Sequence, residues 1–139
     1  AEVVDRETFD QILELDDEGT FVFSKEIVSA YFSQAVTTFA SMDSAVEEKK
    51  LKELSELGHF LKSSSSALGI RDVQAACEKI EQYGDLRGDD AATPISPADA
   101  LARIRELLPT VKADHATAER WLRKFYADKK VPYDDDPPA

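Results

Sequence analysis

Residues 51–69, LKELSELGHFLKSSSSALG, carry the clearest helical pattern of the chain. Its apolar residues recur at helical spacing, and at about 100° per residue they fall on one face of a helix. The members of that face are Leu51, Leu54, Leu57, Leu61, Ser65 and Leu68. Gly69 follows the last leucine, where a glycine can adopt the left-handed conformation that ends a helix. The stretch therefore predicts an amphipathic helix with a buried leucine stripe.

The same spacing recurs along the rest of the chain, and patterns typical of strands are nearly absent. Five helices are predicted, over about Arg6 to Leu15, from after Ser24 to about Ala45, over about Glu47 to Leu68, over about Asp72 to Tyr83, and from Ser96 to about Ala127. Pro97 takes the first position of the last helix, and Pro109 is predicted to kink it or split it in two. Four long helices with short connections bury their stripes as a bundle. We expect an all-α four-helix bundle with a short flanking N-terminal helix.

Side chains that start or stop helices support these bounds. Asp5, Ser24 and Ser96 are the predicted N-caps, because short side-chain oxygens accept hydrogen bonds from the free amides of a first turn. Gly84 is the predicted stop of the fourth helix, as Gly69 is of the third. Every long helix is thus bounded by at least one residue suited to end it.

Length, charge and cysteine content narrow the class of protein. The 139 residues fit a single domain, with residues 5–128 as a helical core and residues 129–139 as a flexible acidic tail. A net charge of −11 disfavours binding to nucleic acid or to an anionic membrane surface. One cysteine cannot form an internal disulfide, and neither a signal-peptide pattern nor a bilayer-spanning apolar run is present. We expect a monomeric protein of the cytoplasm or nucleus.

His59 is the residue of this chain with the most distinctive surroundings. It lies at about 140° from Leu54 on the helical wheel, so the imidazole is predicted to face solvent in mid-helix. Ser55 and Ser63, one turn away on either side, are small and leave the ring accessible. Lys62 lies on the same side, where its ammonium could offset the charge of a phosphoryl group on the ring. A neutral imidazole with an accessible lone pair is a nucleophile near physiological pH.

Other interpretations of these residues are structural. An exposed histidine on a helix is usually an ordinary surface residue, and Gly58 is expected to let a neighbouring helix come close. His115 is the competing acceptor, but it falls near the apolar stripe of the last helix and is expected to be packed. No metal site is predicted, because bundle metal sites need paired carboxylates and histidines, and the chain has two histidines and no Glu-x-x-His motif.

Residues 59–69, HFLKSSSSALG, resemble the signature H-x-x-K-G-S-[SA]-x-x-x-G of histidine-containing phosphotransfer (HPt) domains. They are most similar to the fungal phosphorelay intermediates of the Ypd1 type. The resemblance extends from about Asp5 to Tyr126 and includes residues 13–17, 23–25 and 34–40. It implies an HPt-type bundle that carries a phosphoryl group between receiver domains.

The resemblance implies a role for each matching residue of the site. His59 matches the histidine that accepts the phosphoryl group, and Lys62 matches the lysine that supports it. Gln34 matches a glutamine whose amide reaches toward the site from the neighbouring helix, and Ser64 matches a serine that helps to shape it. Ser63 stands where the family has glycine, and its hydroxyl could donate a hydrogen bond to a phosphoryl oxygen.

The resemblance also implies the partners. Ile12 and Leu15 match apolar residues that help to dock the partner, and Phe60 is expected to join them. The partners would be response-regulator receiver domains, including that of a hybrid sensor histidine kinase. Those domains would supply the aspartate and Mg²⁺, so the chain is expected to need no cofactor of its own and to have no autonomous kinase or hydrolase chemistry. The alternative is an HPt-like module that docks receiver domains without phosphotransfer, which Ser63 would favour.

Overall fold

Five helices make up the regular structure of residues 3–17 and 20–129, the part of the chain that the computed structural model describes. Their bounds are Arg6–Leu13 (α1), Val22–Glu47 (α2), Leu51–Leu68 (α3), Arg71–Gly84 (α4) and Pro97–Asp128 (α5). None of these residues forms a strand, apart from an isolated bridge between Arg87 and Pro94. The predicted all-α class is confirmed.

The four long helices bury their apolar stripes in one core, and α1 packs at the side of it. The largest fully buried apolar side chains include Met42, Leu54, Leu61, Ile80, Ile104, Leu122 and Tyr126. From α1, Phe9 is fully buried and meets the rings of Trp121 and Phe125 edge-on, with centroids 5.8 and 5.2 Å away. The arrangement is the predicted four-helix bundle with a short flanking helix.

Two glycines allow α3 and α4 to pack with their backbones almost in contact. A Cβ atom on Gly58 would lie 2.9 Å from the carbonyl oxygen of Cys77 and 3.0 Å from the amide nitrogen of Glu81. A Cβ atom on Gly84 would lie 2.7 Å from the amide nitrogen of Ser55. The expectation for Gly58 is confirmed. Gly84 is the last residue of α4 and Asp85 is the C-cap, so Gly84 serves close approach and is not the left-handed stop that was predicted.

The start of α2 differs from the prediction. Ser24 is a buried residue within the first turn and not the N-cap, which is Phe21. Its amide donates to Oδ1 of Asp16 at 2.7 Å, and its hydroxyl donates to Oδ2 at 2.6 Å. Tyr126 in turn donates to the Ser24 hydroxyl at 2.7 Å. A carboxylate from the preceding loop therefore caps α2, and local sequence patterns do not reveal a cap eight residues away.

Other helix ends shift by a few residues. α1 ends at Leu13 and not at Leu15, and the junction predicted near residues 45–47 lies at residues 48–50, where Lys49 adopts a left-handed conformation with φ 59°. Gly69 has the predicted left-handed conformation, with φ 79°. The Ser96 side chain accepts from the amide of Asp99 at 3.1 Å, so this predicted N-cap is confirmed. Asp5 is the N-cap of α1 as predicted, but its side chain accepts no hydrogen bond from the amides of the first turn.

Pro109 does not split α5, which continues through it as one helix. Its ring lies on the exposed side, where bulk water can satisfy the carbonyl that loses its amide partner. No helix of the described residues is both long and apolar enough to cross a membrane. The predicted acidic tail, apart from Lys129, lies outside the described residues.

His115 is packed in the core, as expected for a structural histidine. It is 6% exposed, and its ring lies between those of Tyr31 and Phe39 at centroid distances of 5.6 and 5.4 Å. Its Nε2 atom is buried without a hydrogen-bond partner in the described part of the chain. Burial lowers the pKa of His115 below its usual 6.5, and the Glu119 carboxylate opposes this effect only in part. The folded protein therefore holds this ring neutral.

Replacing Gly58 with alanine tests the close approach of α3 and α4. Alanine in a helix is normally about 0.5–1 kcal/mol better than glycine. Here the added Cβ would press on backbone atoms that cannot yield locally, so Gly58→Ala should lower the free energy of unfolding by about 1–3 kcal/mol in urea titrations. The control is Ser66→Ala on the exposed face of α3, which should not destabilise. Equal stability of Gly58→Ala and wild type would contradict the packing.

The buried His115 predicts a pH dependence of stability. Its pKa is lower in the folded than in the unfolded state, so the unfolded chain binds more protons as the pH falls through the unfolded value of 6.5. The stability contributed by the neutral ring is complete above that value and is lost below it. Between about pH 7 and pH 5 the wild type should lose more of its thermal midpoint than His115→Leu, which has no proton to bind. Parallel losses in the two proteins would refute this account.

Candidate functional site

His59 lies on the surface of α3, in the orientation that the helical wheel predicts. Its side chain is 62% exposed. The face behind it carries the buried residues Leu54, Leu61, Ser65 and Leu68, with Leu57 half-buried. The ring is therefore held on a rigid helix in the middle of the bundle and is open to another molecule.

A carboxylate from α4 joins His59 to Lys62. Oε2 of Glu81 lies 3.0 Å from Nδ1 of His59, and Oε1 of Glu81 lies 2.7 Å from Nζ of Lys62. Glu81 is 23% exposed and Lys62 is 26% exposed, so both are partly withdrawn from water. The three side chains form one hydrogen-bonded cluster, hereafter the His59–Glu81–Lys62 cluster.

The charge of Glu81 determines which nitrogen of His59 carries the proton. Partial burial of Glu81 disfavours ionisation, but the hydrogen bond and positive charge of Lys62, with a further contribution from His59, outweigh it and lower the pKa of Glu81. An ionised carboxylate only accepts hydrogen bonds. Nδ1 of His59 is therefore the donor, and in the neutral ring the lone pair is on Nε2.

Lys62 lies on the same side of α3 as His59, as predicted, but its ammonium is already paired. The hydrogen bond to Glu81 raises the pKa of Lys62, with partial burial opposing the shift and the charges of Glu81 and Glu78 adding to it. An ammonium has three donors, and one of them is used here. Lys62 therefore keeps its charge and retains donors for an additional anion.

The serines near His59 occupy different environments. Ser63 is exposed one turn after the histidine, and Ser64 is half-buried with its hydroxyl donating to the carbonyl of Phe60 at 3.1 Å. Ser55 is predicted to lie on the open surface around His59, and this prediction is wrong. It is buried against α4, and its hydroxyl donates to Oδ1 of Asp85 at 2.7 Å. Its small size serves the α3–α4 contact.

Gln34 lies beside Ser64, across a shallow groove between α2 and α3. The groove has a volume of about 260 Å³, and its lining includes Tyr31 and Ala67 besides these two residues. Gln34 is exposed, and among the described residues no hydrogen bond joins its amide to His59. The structure thus brings Gln34 and Ser64 together, and it assigns the direct contact with the histidine to Glu81.

Several large apolar side chains in the N-terminal half of the chain are exposed to solvent. Of the three predicted docking residues, Leu15 is 62% exposed and Phe60 is 45% exposed, while Ile12 is half-buried against the core. Val22 and Phe23, at the start of α2, are also exposed and were not singled out from the sequence. Exposed large apolar side chains on several elements are typical of a surface that binds a protein.

Glu81 is the site residue that sequence reasoning missed. It is separated from His59 by 22 positions, and no motif connects the two. One feature of the sequence points to it: Glu81 lies one helical turn after Cys77, at the edge of the buried stripe of α4, where a carboxylate needs a partner. Within residues 3–17 and 20–129, no group of three or more His, Cys, Asp or Glu side chains is placed to hold a metal ion.

A family model and the most similar curated proteins indicate the same family for this chain. Residues 26–114 match the family of the Hpt domain. The chain is 43% identical over 126 residues to multistep phosphorelay regulator 1 of Schizosaccharomyces pombe, a match that covers 90% of this chain and 43% of the regulator. It is 40% identical over 85 residues to the phosphorelay intermediate protein YPD1 of Saccharomyces cerevisiae, covering 60% of this chain and 50% of that protein. The chain spans about half the length of these curated relatives.

A solved structure shares the fold. It is the co-crystal structure of the Saccharomyces cerevisiae histidine phosphotransfer signalling protein Ypd1 and the receiver domain of its downstream response regulator Ssk1. The TM-score is 0.81 at 29% sequence identity, covering 91% of this chain and 95% of that one. The match of more than half of the chain to the family, together with the shared bundle and the exposed histidine, shows that this chain belongs to the Hpt domain family.

Proposed function

We propose that this protein is a phosphorelay intermediate whose His59 accepts a phosphoryl group from a phosphoaspartate of one receiver domain and donates it to an aspartate of another. The observation that carries the proposal is the exposed imidazole of His59, with Nδ1 bound to Glu81 and the lone pair on Nε2. Family membership supports the same assignment.

The chemistry requires little of the carrier beyond a well-placed nucleophile. Nε2 attacks phosphorus, the Nε2–P bond forms, and the bond from phosphorus to the aspartate oxygen breaks with its electron pair leaving on the carboxylate. Phosphoryl transfer depends mainly on positioning and on stabilisation of charge. Lys62 is the cation of this chain next to the reacting ring. In this proposal Mg²⁺ and the acceptor aspartate belong to the receiver domain, and the chain needs no cofactor of its own.

The proposed partners are receiver domains, with that of a hybrid sensor histidine kinase as a donor. The structure of yeast Ypd1 with the receiver domain of Ssk1 supports this, because that protein shares the present fold over nearly its whole length. Leu15 and Phe60 supply exposed apolar surface for docking. We extend the proposal to a monomer acting in the cytoplasm or nucleus without a nucleic-acid partner, and the net charge of −11 supports the last point.

A second candidate function is a docking module that binds receiver domains without accepting a phosphoryl group. The observation that favours it is Ser63, an exposed hydroxymethyl group one turn from His59 where the family has glycine. Label transfer separates the two functions, because a docking module would bind a phosphorylated receiver domain and leave the label on it.

Replacing His59 with glutamine tests the acceptor. Wild-type protein mixed with a ³²P-labelled receiver domain should become labelled, and His59→Gln should not, since an amide cannot form a phosphohistidine. His115 is retained in this variant, so any residual label would reveal the competing acceptor. Circular dichroism melting provides the control for folding. Labelling of His59→Gln at the wild-type rate would disprove the assignment, and binding without labelling of wild type would favour the docking module.

Ser63 tests how much space the partner needs. Ser63→Gly should leave the rate of labelling unchanged or raise it slightly, because a hydroxymethyl group obstructs little. Ser63→Gln should lower the rate about tenfold or more, equivalent to ~1.4 kcal/mol, because a longer side chain one turn from His59 blocks approach. The matched control is Thr117→Gln, at an exposed position of α5. Equal rates for the two glutamine variants would show that Ser63 lies outside the contact.

A further inference from the structure

A series of hydrogen bonds joins the end of α5 to the start of α2. The Tyr126 hydroxyl donates to Oγ of Ser24 at 2.7 Å, and the Ser24 hydroxyl donates to Oδ2 of Asp16 at 2.6 Å. The other carboxylate oxygen of Asp16 accepts from the Ser24 amide at 2.7 Å. Tyr126 and Ser24 are fully buried, so water does not compete for the bond between them. These three residues are hereafter the Tyr126–Ser24–Asp16 chain.

We propose that Tyr126 is a positioning residue for partner recognition, which through Ser24 and Asp16 holds Phe23 and Leu15 where a receiver domain docks. Each of the two apolar residues directly precedes a member of the chain, Leu15 before Asp16 and Phe23 before Ser24. The inference rests on the proposed function and adds to it a buried residue that acts on affinity for the partner and not on phosphoryl transfer itself.

The surface held in this way continues toward the helix that carries His59. At about 100° per residue, Phe23, Ile27, Ala30 and Gln34 fall within about 60° of one another around α2. Phe23 is 46% exposed, and the other three line the groove beside Ser64 of α3. The rise from Phe23 to Gln34 is about 16 Å at 1.5 Å per residue. A standard interface covers about 800 Å² of each partner, so a domain seated over the groove can reach Phe23.

Tyr126 is the point at which both helices of this surface meet α5. Its ring lies edge-on to Phe9 of α1 and to Phe21 at the N-cap of α2, with centroids 6.4 Å away in each case. Burial raises the pKa of the Tyr126 hydroxyl to about 12, so the hydroxyl keeps its proton and donates to Ser24 at physiological pH. A directional bond is thereby added to a contact that is otherwise apolar.

Such a bond contributes more to placement than to stability. Buried polar groups gain little net free energy from pairing, but a satisfied network in a core fixes one arrangement of the elements that it joins. A docking surface that is already ordered binds more tightly, because ordering it on association would use part of the binding free energy. Loss of the Tyr126 hydroxyl should therefore weaken partner binding by loosening the start of α2.

Replacing Tyr126 with phenylalanine tests the proposal, because the ring remains and the bond to Ser24 is lost. The dissociation constant for one receiver domain, measured by isothermal titration calorimetry with Mg²⁺ present, should rise about fivefold or more. The rate at which phosphoramidate, a small phosphodonor that needs no docking surface, phosphorylates His59 should stay at the wild-type value. A matching fall in that rate would place the effect at His59 and would overturn the proposal.

The matched control is Tyr83→Phe. It also removes a buried phenolic hydroxyl that donates to a carboxylate, that of Asp89, but it lies on α4 away from α1 and α2. Tyr83→Phe should leave the dissociation constant unchanged, with circular dichroism melting to compare the stability of the two variants. An equal loss of affinity in both variants would indicate general loosening of the bundle and would contradict a specific role for Tyr126.

Asp16→Asn breaks the same chain from its half-buried end and keeps the test available if Tyr126→Phe fails to fold. It should also raise the dissociation constant, because the amide cannot accept both of the Ser24 hydrogen bonds. Asp17→Asn removes the same charge from the exposed neighbouring residue and should have a smaller effect. Equal effects of the two asparagine variants would attribute the change to charge and would count against the chain.

A double-mutant cycle shows whether Tyr126 acts through the apolar surface. The variant with Leu15→Ala and Phe23→Ala should itself bind more weakly, and in that background Tyr126→Phe should raise the dissociation constant less than about twofold. Tyr126→Phe with the same effect in both backgrounds would refute the proposal.

Failure of this inference can be distinguished from failure of the proposed function. If the wild type neither binds the receiver domain nor accepts label from it, both proposals fail. If the wild type binds and accepts label, and Tyr126→Phe binds equally well, the role of Tyr126 alone is refuted.

Discussion

The close approach of α3 and α4 is the constraint on which the site depends. At Gly58 and Gly84 a single added carbon would come within 3.0 Å of backbone atoms of the opposite helix. Interiors packed to this density transmit small displacements, so the register of the two helices is fixed to a fraction of an ångström. Because Gly58 directly precedes His59, this register also determines which α4 side chain the imidazole meets.

Electrostatics at the site follow from that register. The chain carries a net charge of −11, yet the reacting ring has a cation close by, because Glu81 links Lys62 to His59. Exposed ion pairs contribute little to stability, but this cluster is partly withdrawn from water and orders three side chains at once. It holds one imidazole in a defined orientation, and the bundle is stabilised mainly by its apolar core.

Two further groups of hydrogen bonds attach the flanking helix α1 and the start of α2 to the bundle. The amide of Asp5 donates to the carbonyl of Gly69 at 2.8 Å, and the Asp5 carboxylate pairs with Arg71 at 2.8 Å. The buried chain from Tyr126 through Ser24 to Asp16 joins the end of α5 to the loop before α2. These bonds help to position Leu15, Val22 and Phe23, and therefore the exposed apolar surface that they form beside the bundle.

The order of the helices and the exposure of the candidate acceptor could be predicted from the amino-acid sequence. Helical periodicity placed the leucine stripe of α3 inward and His59 outward, the caps at Gly69 and Ser96 were read correctly, and the buried setting of His115 followed from its stripe. These features are local, because a helix repeats its geometry every few residues. The phosphoryl-accepting role of His59 was predicted from the resemblance to the HPt family, because helical periodicity carries no information about chemistry.

Tertiary structure alone decided what surrounds the ring. The contact of Glu81 with His59, the cap that Asp16 provides for Ser24, and the burial of Ser55 against Asp85 all join residues that are distant in sequence or lie on different elements. The continuity of α5 through Pro109 is likewise not evident from the local sequence, which predicted a kink or a break there. The reason is geometric: local patterns specify which face of a helix is apolar, whereas the depth and register at which two faces meet are set by the packing of the whole core.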